Sequence, residues 1–230
     1  MCIRDSAGGG ASEIRRYLIE GDLVEAVVQL PTDLFYNTGI STYVWIISKN
    51  KAPIRRGKVQ LIDASKCFIK RRKNIGSKRV DLDDNCIKLI MQAYTEFADE
   101  IYEKDNLAVE SKVFDNKFFG FTKVSVQTPI CDDSGKPILK KGKMQPDKAK
   151  EDTETIPLNE NIDEYIAKNV LPYNQHAFLD RSKDKIGYEI PFTRLFYKFV
   201  PPVSSDEIFA DIKILEEQET TLMKELFGNE

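Results

Sequence analysis

The chain has 230 residues, of which 41% are apolar and 31% charged, against about 45–50% and about 25% in ordinary globular proteins. That composition describes one large domain or two small ones with strongly solvated segments, and no membrane protein. Lys and Arg total 34 against 37 Asp and Glu, a net charge of −3, which argues against a chain that coats nucleic acid or anionic lipid over its whole surface and leaves DNA contact to a local basic patch.

The first six residues, Met1-Cys2-Ile3-Arg4-Asp5-Ser6, show neither a strand nor a helix pattern before Ala7-Gly8-Gly9-Gly10. The hexapeptide resembles a translated adapter remnant, so residues 1–6 are read as a non-native leader and the chain is expected to extend upstream. Residues 7–64 hold a helix and three strands. Ser12 is placed to cap the helix, with Ile14, Tyr17 and Leu18 on one face and Gly21 as its left-handed stop. Residues 23–30 are β-branched and almost continuously apolar, as a strand buried on both faces should be, and Pro31 ends them. A polar loop leads to a second apolar strand at 42–47, and a basic turn at 49–58 leads to a third at 59–62. Helix and then strands in succession suit the trailing edge of an α/β sheet.

Residues 65–131 begin with a basic loop and continue with a helix over 83–103. Asp83 or Asp84 caps it, and Ile87, Ile90, Met91, Tyr94, Phe97, Ala98 and Ile101 lie on one stripe. The aromatic, partly alternating stretch 114–126 reads as one or two short strands. Between residues 132 and 155, 12 of 24 residues are charged, with Gly and Pro interspersed, the composition of a flexible linker. A further subdomain spans 156–203, where a helix near Asn159 carries Ile162, Tyr165, Ile166 and Val170 until Pro172. In the final segment, 204–230, Ser204 and Glu207 have the form of a capping box. Ile208, Ile212, Leu215, Glu219, Leu222 and Leu226 then step by 4, 3, 4, 3 and 4, a coiled-coil seam with one acidic interruption. Such a helix is marginal alone, so it either packs on its own domain or takes a separate partner.

Several chemistries are absent. Cys2, Cys67, Cys86 and Cys131 form no C-x-x-C pair and His176 is the only histidine, which leaves no Cys/His metal site and reads as free thiols in a reducing cytoplasm. The apolar runs are far shorter than the ~20 residues that cross a bilayer, and no signal-peptide pattern opens the chain. There is no P-loop and no nucleophile motif for His176 to serve. Gly8-Gly9-Gly10 has no preceding strand, and the third glycine of a G-x-G-x-x-G pattern is replaced by Glu13.

One stretch stands out: Leu30-Pro31-Thr32-Asp33-Leu34-Phe35-Tyr36-Asn37-Thr38-Gly39-Ile40-Ser41-Thr42. Asn37 and Gly39 supply a turn between two buried strands, while Phe35 and Tyr36 cannot both be buried on one side of an extended backbone. Either one ring is offered to a flat ligand such as a base, or both pack under the loop.

This run, together with Glu13-Ile14-Arg15-Arg16, Gly57-Lys58-Val59-Gln60-Leu61-Ile62-Asp63-Ala64, Ile162-Asp163-Glu164-Tyr165, Val170-Leu171-Pro172 and Gly187-Tyr188-Glu189-Ile190-Pro191-Phe192-Thr193-Arg194, resembles the modification subunit of type I restriction-modification systems. The resemblance runs from about residue 8 to the end and is to the C-terminal part of such proteins only. It implies the C-terminal edge of a Rossmann-like methyltransferase sheet followed by a mixed, mainly helical tail. The implied enzyme methylates the exocyclic N6 of adenine in double-stranded DNA with S-adenosylmethionine. That reaction needs a glycine loop for the cofactor and a [DNS]-P-P-[FY] loop for the adenine amine. Neither is present, since the only Pro-Pro, Pro201-Pro202, follows Val200. No catalytic or cofactor-binding residue is therefore expected in this chain, which alone should neither methylate DNA nor bind the cofactor.

What the resemblance leaves here is Phe35, with Tyr36 second, stacking on a flipped-out base, supported by Asn37, Thr38 and Gly39. Lys66, Lys70, Arg71, Arg72, Lys73, Lys78 and Arg79, seven basic residues in fourteen, are either DNA phosphate contacts or simply a solvated basic loop. Ile208, Ile212, Leu215, Leu222 and Leu226 would face the specificity subunit, with a restriction subunit completing the complex. The rival readings are a non-enzymatic α/β adaptor that binds a partner and a methyltransferase of another defence system.

Overall fold

The computed structural model describes residues 7–132, 136–140 and 142–227, in two units that divide after Phe196. The first unit opens with α1 (Gly10–Glu20), β1 (Val24–Gln29), β2 (Tyr43–Ile47) and β3 (Lys58–Asp63). It continues with β4 (Ile69–Ile75), β5 (Lys78–Asp81), α2 (Asp84–Glu96), β6 (Glu100–Lys104) and β7 (Leu107–Asp115). Five of these strands make one sheet in the order β2-β1-β3-β7-β6. β1 and β3 run parallel, and the other pairs are antiparallel. The α/β class and the three expected strands are therefore present, and β1 is covered on both faces. Val27, Val59 and Leu61 pack with Ile19, Tyr188, Ile190 and Phe192 on one side, while Val28 and Ile62 pack with Cys86, Leu89 and Ala93 of α2 on the other.

Both early helices sit differently from the sequence pattern. Gly9, not Ser12, occupies the N-cap of α1. Ser12 lies inside the helix, and its Oγ accepts the Tyr188 N–H at 3.0 Å. The buried stripe is Ser12, Arg15 and Ile19, whereas Ile14 and Tyr17 are exposed. Polar residues won that face because a strand end offers them hydrogen bonds: Arg15 Nε donates to the Tyr188 carbonyl at 2.7 Å. The left-handed residue at the helix end is Asp22 (φ 53), not Gly21. Its carboxylate accepts from Lys51 Nζ at 2.6 Å, Gly57 N at 3.0 Å and Asn116 Nδ2 at 2.9 Å, which over-determines a conformation that Asp tolerates.

α2 is capped by Asp83, which accepts from Cys86 N at 2.8 Å. It ends at Glu96, with Phe97 left-handed, short of the expected residue 103. Glu100–Lys104 instead pair with β7, and Tyr102 is the one buried residue among them. The fully buried residues of α2 are Cys86, Leu89 and Ala93; of the expected stripe Ile90 and Tyr94 pack against the same cluster, while Ile87 and Met91 are exposed. Small Cys86 and Ala93 are what let the helix approach the sheet.

Downstream lie β8 (Gly120–Gln127), β9 (Leu139–Lys140), β10 (Lys143–Met144), β11 (Asp152–Pro157), α3 (Ile162–Asn169), β12 (Phe178–Tyr188) and α4 (Phe192–Phe196). This part is richer in strand than the mainly helical tail expected. β11, β8 and β12 form an antiparallel sheet, and α3 sets Ile166 and Val170 against Val124, Val126 and Ile156. The charged stretch after residue 131 carries the β9–β10 pair, with Asp147 N donating to the Thr128 carbonyl and Ile130 N to that of Gln145, both at 2.8 Å. Among its described charged residues Asp132, Lys136, Lys140, Lys148, Lys150, Glu151 and Asp152 are exposed, and Asp147 and Glu154 are half-buried. Gly187 is required by close approach, since a Cβ there would lie 2.5 Å from the Phe121 ring.

The second unit contains α5 (Ser205–Phe227). Ser204 Oγ accepts the Glu207 N–H at 3.2 Å, as the capping pattern anticipates.

Candidate nucleic-acid interface

The loop between β1 and β2 is anchored at its base. Leu30 N donates to the Thr42 carbonyl at 2.8 Å and Gln29 Nε2 to Ser41 Oγ at 3.4 Å. Pro31 and Leu34 are buried beneath it. The tip is a tight turn in which Phe35 bridges Thr38. Thr38 Oγ1 accepts from Ile40 N at 3.3 Å, and a Cβ on Gly39 would sit 2.8 Å from Asp33 Oδ1. With the turn filled by short polar residues, both rings face outward: Phe35 is 44% and Tyr36 56% exposed. The alternative with both rings packed under the loop does not occur.

The basic stretch forms a β4–β5 hairpin, not a loop, with Lys66 preceding it. Ile69 pairs with Asp81 and Lys70 with Val80, then the register breaks until Ile75 pairs with Lys78. Residues 71–74 thus bulge from the ladder, and Arg72 and Lys73 are exposed there. Arg71 Nε donates to the Lys73 carbonyl at 3.3 Å, and its guanidinium pairs with Asp81. Lys78 Nζ lies 2.8 Å from the same carboxylate. Lys78 and Arg71 together hold the Asp81 carboxyl below its ordinary range. Of the seven predicted phosphate contacts, then, Arg71 and Lys78 are already engaged within the hairpin.

The fold brings these two stretches together. Ser77 N donates to the Tyr36 carbonyl at 2.9 Å, and Arg79 N and Val80 N both donate to the Asp33 carbonyl, at 2.8 and 3.3 Å. Lys78 Nζ stands 5.4 Å from the centre of the Tyr36 ring. Asp33, Gly76, Ser77 and Asp81 were missed by the sequence reading. The Gly76-Ser77 pair is a turn signal between alternating segments and could have revealed the hairpin. Nothing local marks Asp81 as its ion-pair anchor.

The third predicted set, Ile208, Ile212, Leu215, Leu222 and Leu226, lies in the other unit along α5, every residue of which is exposed. Phe209, Met223 and Phe227 are also exposed there and widen the apolar stripe.

A cavity of about 300 Å³ lies under the loop's return, lined by Arg15, Ile40, Thr42, Tyr43, Trp45 and Phe192 among others. Another of about 1000 Å³, between Gly57, Phe114, Phe118 and Tyr188, flanks the start of β3. β3 runs parallel to β1, so that second cavity is at the opposite end of the sheet from the aromatic loop. Among the described residues no group of His, Cys, Asp or Glu could hold a metal ion. No helix among them is long and apolar enough to cross a membrane. Gly8 and Gly9 lead into α1 with no described strand ahead of them.

A family described as "N-6 DNA Methylase" matches residues 5–128, just over half of the chain. The chain is 41% identical over 92 residues to the type I restriction enzyme MjaVIII methylase subunit of Methanocaldococcus jannaschii, covering 40% of this chain and 16% of that protein. It is 48% identical over 52 residues to the HindI methylase subunit of Haemophilus influenzae, covering 23% and 11%. The chain thus spans about a sixth or less of the length of these relatives. A crystal structure of the type I restriction-modification system methyltransferase subunit from Streptococcus thermophilus matches 45% of this chain and 20% of its own, at 31% identity and a TM-score of 0.34.

Proposed function

The chain belongs to the N-6 DNA methylase family, and from that premise we propose that it is the C-terminal part of a type I modification subunit, an S-adenosylmethionine-dependent DNA adenine-N6 methyltransferase. In this reading it contributes the loop that receives the target base and the helix that joins the complex. The observation that carries the reading is the pair of outward rings, Phe35 and Tyr36, on a loop closed at its neck and flanked by a basic hairpin. A base turned out of the duplex exposes a π-face, and an exposed ring on a fixed loop meets it at little cost in ordering. Phe35 is the primary stacking residue and Tyr36 the second, with Asn37, Thr38 and Gly39 shaping the turn beneath them. Lys66, Lys70, Arg72, Lys73 and Arg79 neutralise phosphates beside that base, while Arg71 and Lys78 divide their charge with Asp81.

S-adenosylmethionine supplies the methyl group in the whole enzyme. No residue described here is assigned to it, and in this reading this chain alone neither binds it nor methylates DNA. The α5 seam faces the specificity subunit, a restriction subunit completes the assembly, and the complex works in a prokaryotic cytoplasm.

The reading is tested by Phe35→Ala in the full-length subunit within its complex. Stacking is worth about 1–3 kcal/mol per base by alanine substitution, so methyl transfer to duplex DNA should fall about five- to a hundredfold. Unchanged turnover would overturn the assignment.

A further inference from the structure

We propose that the β4–β5 hairpin is the positioning element of the aromatic loop, so that phosphate contact on the hairpin and presentation of the rings to the base are one mechanical event. This rests on the loop's being the base-receiving element. Three backbone hydrogen bonds tie the two: Ser77 N to the Tyr36 carbonyl, and Arg79 N and Val80 N to that of Asp33. They land on both sides of Phe35, at the residue after it and two residues before it, so its backbone is held from the hairpin. Gly76 is where they meet most closely. Its φ is +58, and a Cβ there would come within 2.7 Å of the Tyr36 carbonyl oxygen. A side chain at 76 must therefore push the loop tip or break the Ser77 bond. Tyr36 also lies under the Lys78 ammonium, which Asp81 holds from the hairpin side.

The same carboxylate holds Arg71, at the start of the bulge that displays Arg72 and Lys73. Neither Arg72 nor Lys73 has an ion-pair partner among the described residues. The cations that would reach a phosphate and the rings that would reach a base are therefore joined through one set of hydrogen bonds and ion pairs, centred on Asp81 and Gly76. Gly76, Ser77 and Asp81 are positioning residues; none is placed to touch the base.

The test uses the full-length subunit in its complex and duplex DNA carrying a fluorescent adenine analogue at the target position. Gly76→Ala should lower turnover at saturating DNA by about ten- to a hundredfold, as misplacement of a reacting group does, with DNA affinity changed less than about threefold. The fluorescence rise on base capture should be lost with it. Asp81→Asn, which leaves the backbone intact, should shift both readouts in the same direction by a smaller factor. Arg72→Gln with Lys73→Gln should weaken binding, make its salt dependence shallower by about two phosphate contacts and, because contact and presentation are coupled, leave turnover below normal even at saturating DNA. If Gly76→Ala and Asp81→Asn keep normal turnover and fluorescence while Phe35→Ala loses them, the hairpin does not position the loop. If both variants lower affinity and leave the saturated signals intact, the hairpin is a phosphate contact only and the inference falls. Normal turnover in Phe35→Ala overturns the loop reading itself, a result distinct from either.

Discussion

Cys86, on the buried face of α2, and Cys67 sit in the same apolar cluster, and Cys131 is exposed. Burial pushes the Cys67 thiol up to about 12, with the neighbouring Cys86 adding to it, and burial also raises Cys86. A raised thiol is nearly all protonated at about pH 8, and the thiolate is the reactive form. Alkylation of the native protein near that pH should therefore mark Cys131 and spare Cys67 and Cys86 until denaturant is added. Equal labelling rates without denaturant would contradict the packing of that cluster. For Cys67, Cys86 and Cys131 the free-thiol reading needed only the sequence, because irregular spacing carries it; Cys2 lies outside the described residues. Which thiol is reactive depends on burial, and Cys131 has no local feature that sets it apart from the others.

Elements divide into those whose partners are near in sequence and those whose partners are distant. β1 and β3 were legible because an apolar run buried on both sides needs no knowledge of its neighbour, whereas β2, expected to be buried too, is a strand at the sheet's end with no buried residue. The α5 helix and its cap were legible for the same reason, since capping and helical periodicity are local. α1 was misread because its buried face answers to Tyr188, more than 160 residues away in sequence. The end of α2 was misread because β7 captures Glu100–Lys104. At this scale the clearest consequence concerns α5, whose exposed stripe includes Ile208, Phe209, Ile212, Leu215, Leu222, Met223 and Leu226. Removing residues 204–230 from the intact modification subunit should release the specificity subunit in a pull-down. Retention would show that the assembly contact is elsewhere.

For the molecule as a whole, the separate ingredients of the candidate interface were readable: two rings beside a turn, and a cluster of cations. Their assembly was not, because the bonds from residues 77, 79 and 80 to residues 33 and 36 join backbone atoms that carry no side-chain signature. The whole-chain prediction is that S-adenosylmethionine titrated into this 230-residue chain gives no saturable heat in calorimetry. Saturable binding would overturn the proposed division of labour between this part and the rest of the enzyme.

β2 is an end strand of its sheet, bonded to β1 on one side only, with Val44 and Ile47 about half exposed. Charge, proline or a bulge usually blunts such a strand. The sequence Tyr43-Val44-Trp45-Ile46-Ile47 offers no charge or proline, and the irregularity in its ladder lies on β1 between Val24 and Ala26. A row of unclaimed amides beside uncharged β-branched side chains is a template for another strand. Produced on its own, the chain should therefore drift towards self-association through Tyr43–Ile47, and a single lysine at Val44 is the economical way to keep it monomeric.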